Sequence, residues 1–123
     1  MSNELLKQLK RSRISTVEVN GYTFKIRRPT DEEAQELGEL VRQSKSPIVK
    51  IAKEYTIGWE NVKARDIVPQ TKSDDPVEFE PELWREWCAD RPDFWGPIAN
   101  TVMEKYQTHS DAMEEKRKKS ESG

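Results

Sequence analysis

Between residues 16 and 28 apolar and polar positions alternate in two short runs. Val17 and Val19 are set among Thr16 and Glu18, and then Tyr22, Phe24 and Ile26 among Thr23, Lys25 and Arg27. A period of two marks a half-buried strand, because successive side chains point to opposite faces. Asn20 and Gly21 separate the runs, and this pair accepts the positive φ angles of a type I′ turn. A two-residue loop there sets Val19 opposite Tyr22 and Val17 opposite Phe24, with Ile26 extending the row. One face of the hairpin is then apolar and the other polar. Such a hairpin is marginal alone in water and must pack against another element.

After the hairpin the period changes to that of a helix. Pro29, Thr30, Asp31, Glu32 and Glu33 form a start signal in which Thr30 caps and Glu33 closes the capping box. Ala34, Leu37, Leu40 and Val41 follow at helical spacing and fade near Ser44. Ile48, Ile51, Ala52 and Tyr55 predict a helix over residues 47–57 with Gly58 as its stop. The β-branched residues at its end keep a strand in competition there. Residues 58–81 carry Trp59, Val62 and a short Ile67, Val68 patch, then a polar stretch over 70–76 that reads as a mobile loop. Val77 and Phe79 alternate inward along an extended piece. A helix over residues 82–89 carries Leu83, Trp84 and Trp87. Pro92 to Pro97 reads as the first turn of another helix, whose stripe is Ile98, Val102, Met103 and Tyr106.

The two ends differ from the middle. Residues 1–13 read as a flexible basic helix in which Leu5, Leu6 and Leu9 share a face among Lys7, Lys10, Arg11 and Arg13. Residues 109–123 are a charged tail, either a solvated helix or disorder. Residues 14–108 remain as a single domain. The expected fold class is α+β, mainly helical, with one N-terminal β-hairpin packed on helices.

Composition narrows the function. Hydrophobic residues are 33% of the 123 and charged residues 36%, against roughly 45–50% and about 25% in average globular chains. The core is therefore thin. Net charge is -2, too small to gather phosphates or an anionic membrane by its global field. Metal sites and nucleophilic triads need His or Cys near other ligands or bases, and with Cys88 the sole cysteine and His109 the sole histidine neither reads as making such a site. Cys88 reads as a small buried hydrophobe and His109 as an exposed side chain. The paired acids Glu32 and Glu33, Asp74 and Asp75, and Glu114 and Glu115 sit in polar stretches and read as solvated charge. The five glycines match no phosphate-cradling loop. These features argue against an enzyme, a metal or a cofactor. The lone thiol, an N-terminus without signal-peptide order and the lack of a long apolar run point to the cytoplasm and away from membranes. The basic ends lack interleaved aromatics, which argues against nucleic acid.

Four tryptophans stand out. Each could be core, yet Trp84 and Trp87 lie three apart on one helix face and could instead anchor a partner. The candidate partner-binding face is Trp84, Trp87, Phe94, Trp95, Ile98 and Val102. Asn20, Gly21, Gly58, Trp59, Val77 and Phe79 read as structural, with Trp59 sealing the core.

The order of these elements resembles the tail assembly chaperones of long-tailed bacteriophages and prophages. Members carry a GW-x-x-V turn, a loop, and then V-x-F-x-x-E opening a helix. Here those positions are Gly58, Trp59 and Val62, followed by Val77, Phe79 and Glu82. The resemblance spans residues 16–107. It implies a protein that binds and solubilises the tape measure protein, helps recruit tail tube subunits, and is absent from the finished virion. Self-association into a homo-oligomer is compatible with that role. The rival readings are a structural tail or head completion protein of the virion and a small DNA-binding regulator.

Overall fold

The computed structural model describes residues 2–122. Met1 and Gly123, the outermost residues of the two terminal segments, lie outside them. The chain forms α1 (Ser2–Arg11), β1 (Ile14–Val19), β2 (Tyr22–Arg27), α2 (Asp31–Arg42), α3 (Ile48–Tyr55), β3 (Thr56–Glu60), α4 (Ala64–Ile67), α5 (Pro81–Ala89) and α6 (Pro92–Ser122). The fold is α+β, mainly helical, with the N-terminal hairpin packed against helices.

The hairpin takes the register that its sequence dictates. Val19 pairs with Tyr22 and Val17 with Phe24, and Asn20 and Gly21 adopt φ angles of 53° and 86°. Beyond the expected pair, β3 joins the far edge of β2 to make a three-stranded antiparallel sheet in the order β1-β2-β3. The helix expected over 47–57 therefore stops at Tyr55, and Thr56 and Ile57 belong to the strand. Gly58 is not a helix stop. It sits opposite Lys25, where a Cβ would approach the Lys25 Cβ to 3.3 Å. The register shifts between Lys25 and Ile26, since Ile26 pairs with Thr56 and leaves Ile57 as the extra residue. Such a bulge bends the strand.

The start of α2 carries a complete capping box, with the Glu33 amide donating to the Thr30 hydroxyl and the Thr30 amide donating to the Glu33 carboxylate. Arg27 at the end of β2 grips the same carboxylate with two donors, at 2.8 and 2.9 Å. This holds Glu33 down at about 2, with the Arg27 hydrogen bonds as the main cause. Leu37 is the residue of the α2 stripe that is buried, whereas Val41 is 58% exposed.

The segment expected to be mobile is tied down. Arg65 N–H donates to Ser73 O, Ala64 N–H to Asp75 O and Val77 N–H to Val62 O, and the Arg65 side chain pairs with Asp74 at 2.7 Å. The short helix α4 and a 3-10 turn over Pro69–Thr71 occupy the loop so formed. The final helix also exceeds expectation. It runs unbroken from Pro92 through Pro97 and into the charged tail, which is helical as far as Ser122.

One core lies between the apolar face of the sheet and α3, α5 and α6. Phe24 and Ile26 supply its sheet side, Ile51, Ala52 and Tyr55 one helical wall, and Trp84, Trp87, Phe94, Ile98 and Val102 the others. Large rings fill the space that a thin apolar inventory must fill.

Candidate client-binding surface

The residues singled out as a partner-binding face, Trp95 apart, are interior. Trp84, Phe94, Ile98 and Val102 are fully buried and Trp87 nearly so. Trp95 is half-buried, and its Nε1–H donates to Cys88 O at 2.7 Å. The indole of Trp84 likewise donates to Ala52 O, at 3.1 Å. Phe24 stands 5.1 Å from both Trp84 and Phe94, and Phe94 stands 5.1 Å from Trp87. Two helices and a strand aim these rings at one another, so they form an interlocked cluster and offer no free face. The anchor face expected from the tryptophans is thereby corrected. Spacing three apart puts Trp84 and Trp87 on one side of α5, but that side meets the sheet.

The GW-x-x-V and V-x-F-x-x-E residues come together as a clasp. The Trp59 Nε1–H donates to Val77 O at 2.7 Å, and its ring meets Phe79 edge-on at 4.9 Å. Val62 is buried and takes the Val77 amide. The clasp closes the loop between β3 and α5 onto the core.

Cys88 is buried and free, and burial pushes its thiol up to about 11, so it is neutral and inert at ordinary pH. His109 is less exposed than its polar neighbours suggest. Its Nε2 lies 3.3 Å from Asp31, and the Tyr106 hydroxyl donates to the same carboxylate oxygen. Among the described residues no group of three or more His, Cys, Asp or Glu is placed to hold a metal ion. Among them, too, no helix is long and apolar enough to cross a membrane.

The unpartnered apolar surface lies elsewhere. Every described side chain of α1 is exposed, including Leu5 at 68%, Leu6 at 50% and Leu9 at 51%. At 100° per residue these three span about a quarter of the helix circumference, with Lys7 and Arg11 opposite and Lys10 flanking. A helix of ten residues is marginal on its own in water. With half or more of each leucine exposed, it gains little from burying its stripe on the body of the protein.

At its root α1 meets the middle of α6 across an open cleft. Leu9 and Ile14 line one side, and Ala112 and Met113 the other. Arg13, Arg28, Lys105 and His109 also line it. Desolvation, then the neighbouring Arg13, pull the Arg28 guanidinium below its ordinary value, with Asp31 a partial offset. Arg13 Nε and Ser15 Oγ are enclosed there without a hydrogen-bond partner. Sequence reasoning noted the shared face of Leu5, Leu6 and Leu9 but did not select it. The signal was present as an amphipathic stripe with no complementary apolar segment nearby. Ile14 and Met113 had no comparable signal. Comparison with family models, curated proteins and solved structures finds no match to this chain.

Proposed function

We propose that this chain is a tail assembly chaperone of a long-tailed phage or prophage, which holds the tape measure protein in solution while tail tube subunits are recruited. The phage assignment rests on the sequence resemblance at Gly58, Trp59, Val62, Val77, Phe79 and Glu82. The observation that carries the holding role is α1, a helix whose three leucines each stay half or more exposed. A long hydrophobic helical client offers the complementary face, and helix-on-helix packing needs no bond made or broken. The protein acts without catalysis, metal or cofactor in this reading.

The magnitude sets the mode of action. Burying a whole leucine side chain contributes about 1.5–3 kcal/mol, and these three are already half to one-third covered. About 3–5 kcal/mol is then available from α1 before ordering costs, which caps the affinity per contact at roughly millimolar. Firm holding therefore requires many copies along one long client, where avidity replaces single-site strength. Weak single contacts also suit release, because tube subunits displace copies one at a time.

The test is co-purification and solubility of tape measure fragments with the full chain. The wild type keeps the fragments soluble, Leu6→Ser with Leu9→Ser lets them precipitate, and added tube protein displaces the chain. Mass spectrometry of finished particles finds the chain missing. Its stoichiometric presence in particles would instead make it a virion component such as a completion protein.

A further inference from the structure

The cleft at the root of α1 combines two chemistries. Leu9, Ile14 and Met113 give it an apolar lining, and Arg13, Arg28 and Lys105 place three cations around that lining. Among the described residues none of these three cations is in an ion pair. Asp31 offsets the charge of Arg28 in part, but its Oδ1 already faces Tyr106 and His109. Within the chain alone this crowding is unfavourable, since Arg13 and Arg28 repel each other and Arg13 Nε has no acceptor. Incoming carboxylates would turn the same arrangement into charge-assisted hydrogen bonds.

We propose that this cleft, continuous with the leucine face of α1 through Leu9, takes an amphipathic client helix with acidic flanks. The apolar stripe of the client lies on Leu9, Ile14 and Met113, and its Asp and Glu side chains reach Arg13, Arg28 and Lys105. The proposal rests on the holding role argued above and adds the charge of the segment that is held. The shape favours a helix over a flat membrane, because the cations line a concavity between two helices. The apolar lining favours a protein over nucleic acid, whose phosphate backbone has nothing to set against it.

The experiment uses the full chain and two synthetic amphipathic peptides of about 21 residues, with leucines at the a and d heptad positions. One carries Glu on its flanks and the other Lys, and binding is read by fluorescence anisotropy at low and raised salt. The Glu peptide should bind at least about tenfold tighter than the Lys peptide, with the preference shrinking as salt rises. Lys105→Glu alone should cut that preference several-fold, and Arg13→Glu with Lys105→Glu should abolish or reverse it. Circular dichroism confirms the fold of each variant, and the exposed Lys105 keeps the test valid if the Arg13 change does not fold. Leu6→Ser with Leu9→Ser should weaken both peptides alike.

Equal binding of the two peptides overturns the proposal, as does a preference untouched by Lys105→Glu. It also fails if light scattering shows that these cations seat a second copy of the chain. Displacement of the Glu peptide by phosphatidylserine vesicles or by a DNA duplex of equal charge would overturn it too. The solubility of tape measure fragments is a separate readout. A chain that keeps fragments soluble yet shows no charge preference loses this proposal and keeps the holding role, whereas failure in both assays removes both.

Discussion

The aromatic interior and the exposed ends of this chain use their hydrophobic residues in opposite ways. Inside, Phe24, Trp84, Trp87 and Phe94 interlock at ring separations of 5–6.5 Å, and the two buried indoles leave little or no surface free. At the N-terminal end Leu5, Leu6 and Leu9 stay half or more exposed. Residue type alone would suggest the reverse, since tryptophan is the residue most associated with interface anchors and leucine with cores. The thin apolar inventory explains the inversion. With only 33% hydrophobic residues, the core is filled by a few very large side chains drawn from several elements. The leucines of α1 stay outside that core.

The sharpest way to break this contrast is to remove a ring. Trp84→Ala deletes a fully buried indole and its hydrogen bond to Ala52 O. The expected cost is about 3–5 kcal/mol, a large share of the roughly 5–15 kcal/mol that holds a domain of this kind. Urea unfolding followed by far-UV circular dichroism measures it. A loss under about 1 kcal/mol would mean that the cluster is not what secures the fold, and the contrast with the ends would collapse.

A smaller effect, tied to pH, comes from the junction of hairpin and α2. Glu33→Gln keeps the shape and one acceptor oxygen but removes the charge that Arg27 grips. Both side chains still reach water, which limits the cost to about 1–2 kcal/mol at neutral pH. The Glu33 carboxyl is lowered in the folded protein from 4.5 to about 2, so the folded state favours the ionised form. Its contribution is fully present above pH 4.5 and is lost as the pH falls toward 2. The stability gap between wild type and Glu33→Gln should therefore close across that window. A gap that persists at the acid end would mean that the ion pair contributes no stability.

These regions also differ in how far they could be read from the sequence. The hairpin and the α2 cap were legible because their determinants are local: Asn20 and Gly21 set the turn, and Thr30 and Glu33 sit three residues apart. The strand β3 was not, because Thr56, Ile57 and Gly58 follow a helical stripe without a break and their partner, β2, lies two helices back in the chain. Pairing across that distance is a tertiary fact. The tryptophans were ambiguous for a related reason. The spacing of Trp84 and Trp87 fixes the side of α5 they share, but not whether that side meets the sheet or solvent. For α1 the stripe was visible, while its lack of a partner could be known only once every other apolar face was accounted for.

The smallest expected change in stability belongs to those leucines, and its smallness is the informative part. Leu6→Ser with Leu9→Ser removes two side chains that are 50% and 51% exposed, from a helix that supplies nothing to the core cluster. Serine also forms helices less readily than leucine, so α1 itself should fray. Helical signal then falls by no more than the ten residues of α1, while the global unfolding free energy from urea titration falls by no more than about 0.5 kcal/mol. That separation follows from the geometry, because a helix whose leucines stay half or more exposed can melt without pulling on the rest. A loss of several kcal/mol would place the leucines against the body of the protein in solution. They would then be a second core, and a client helix would have no open face to meet.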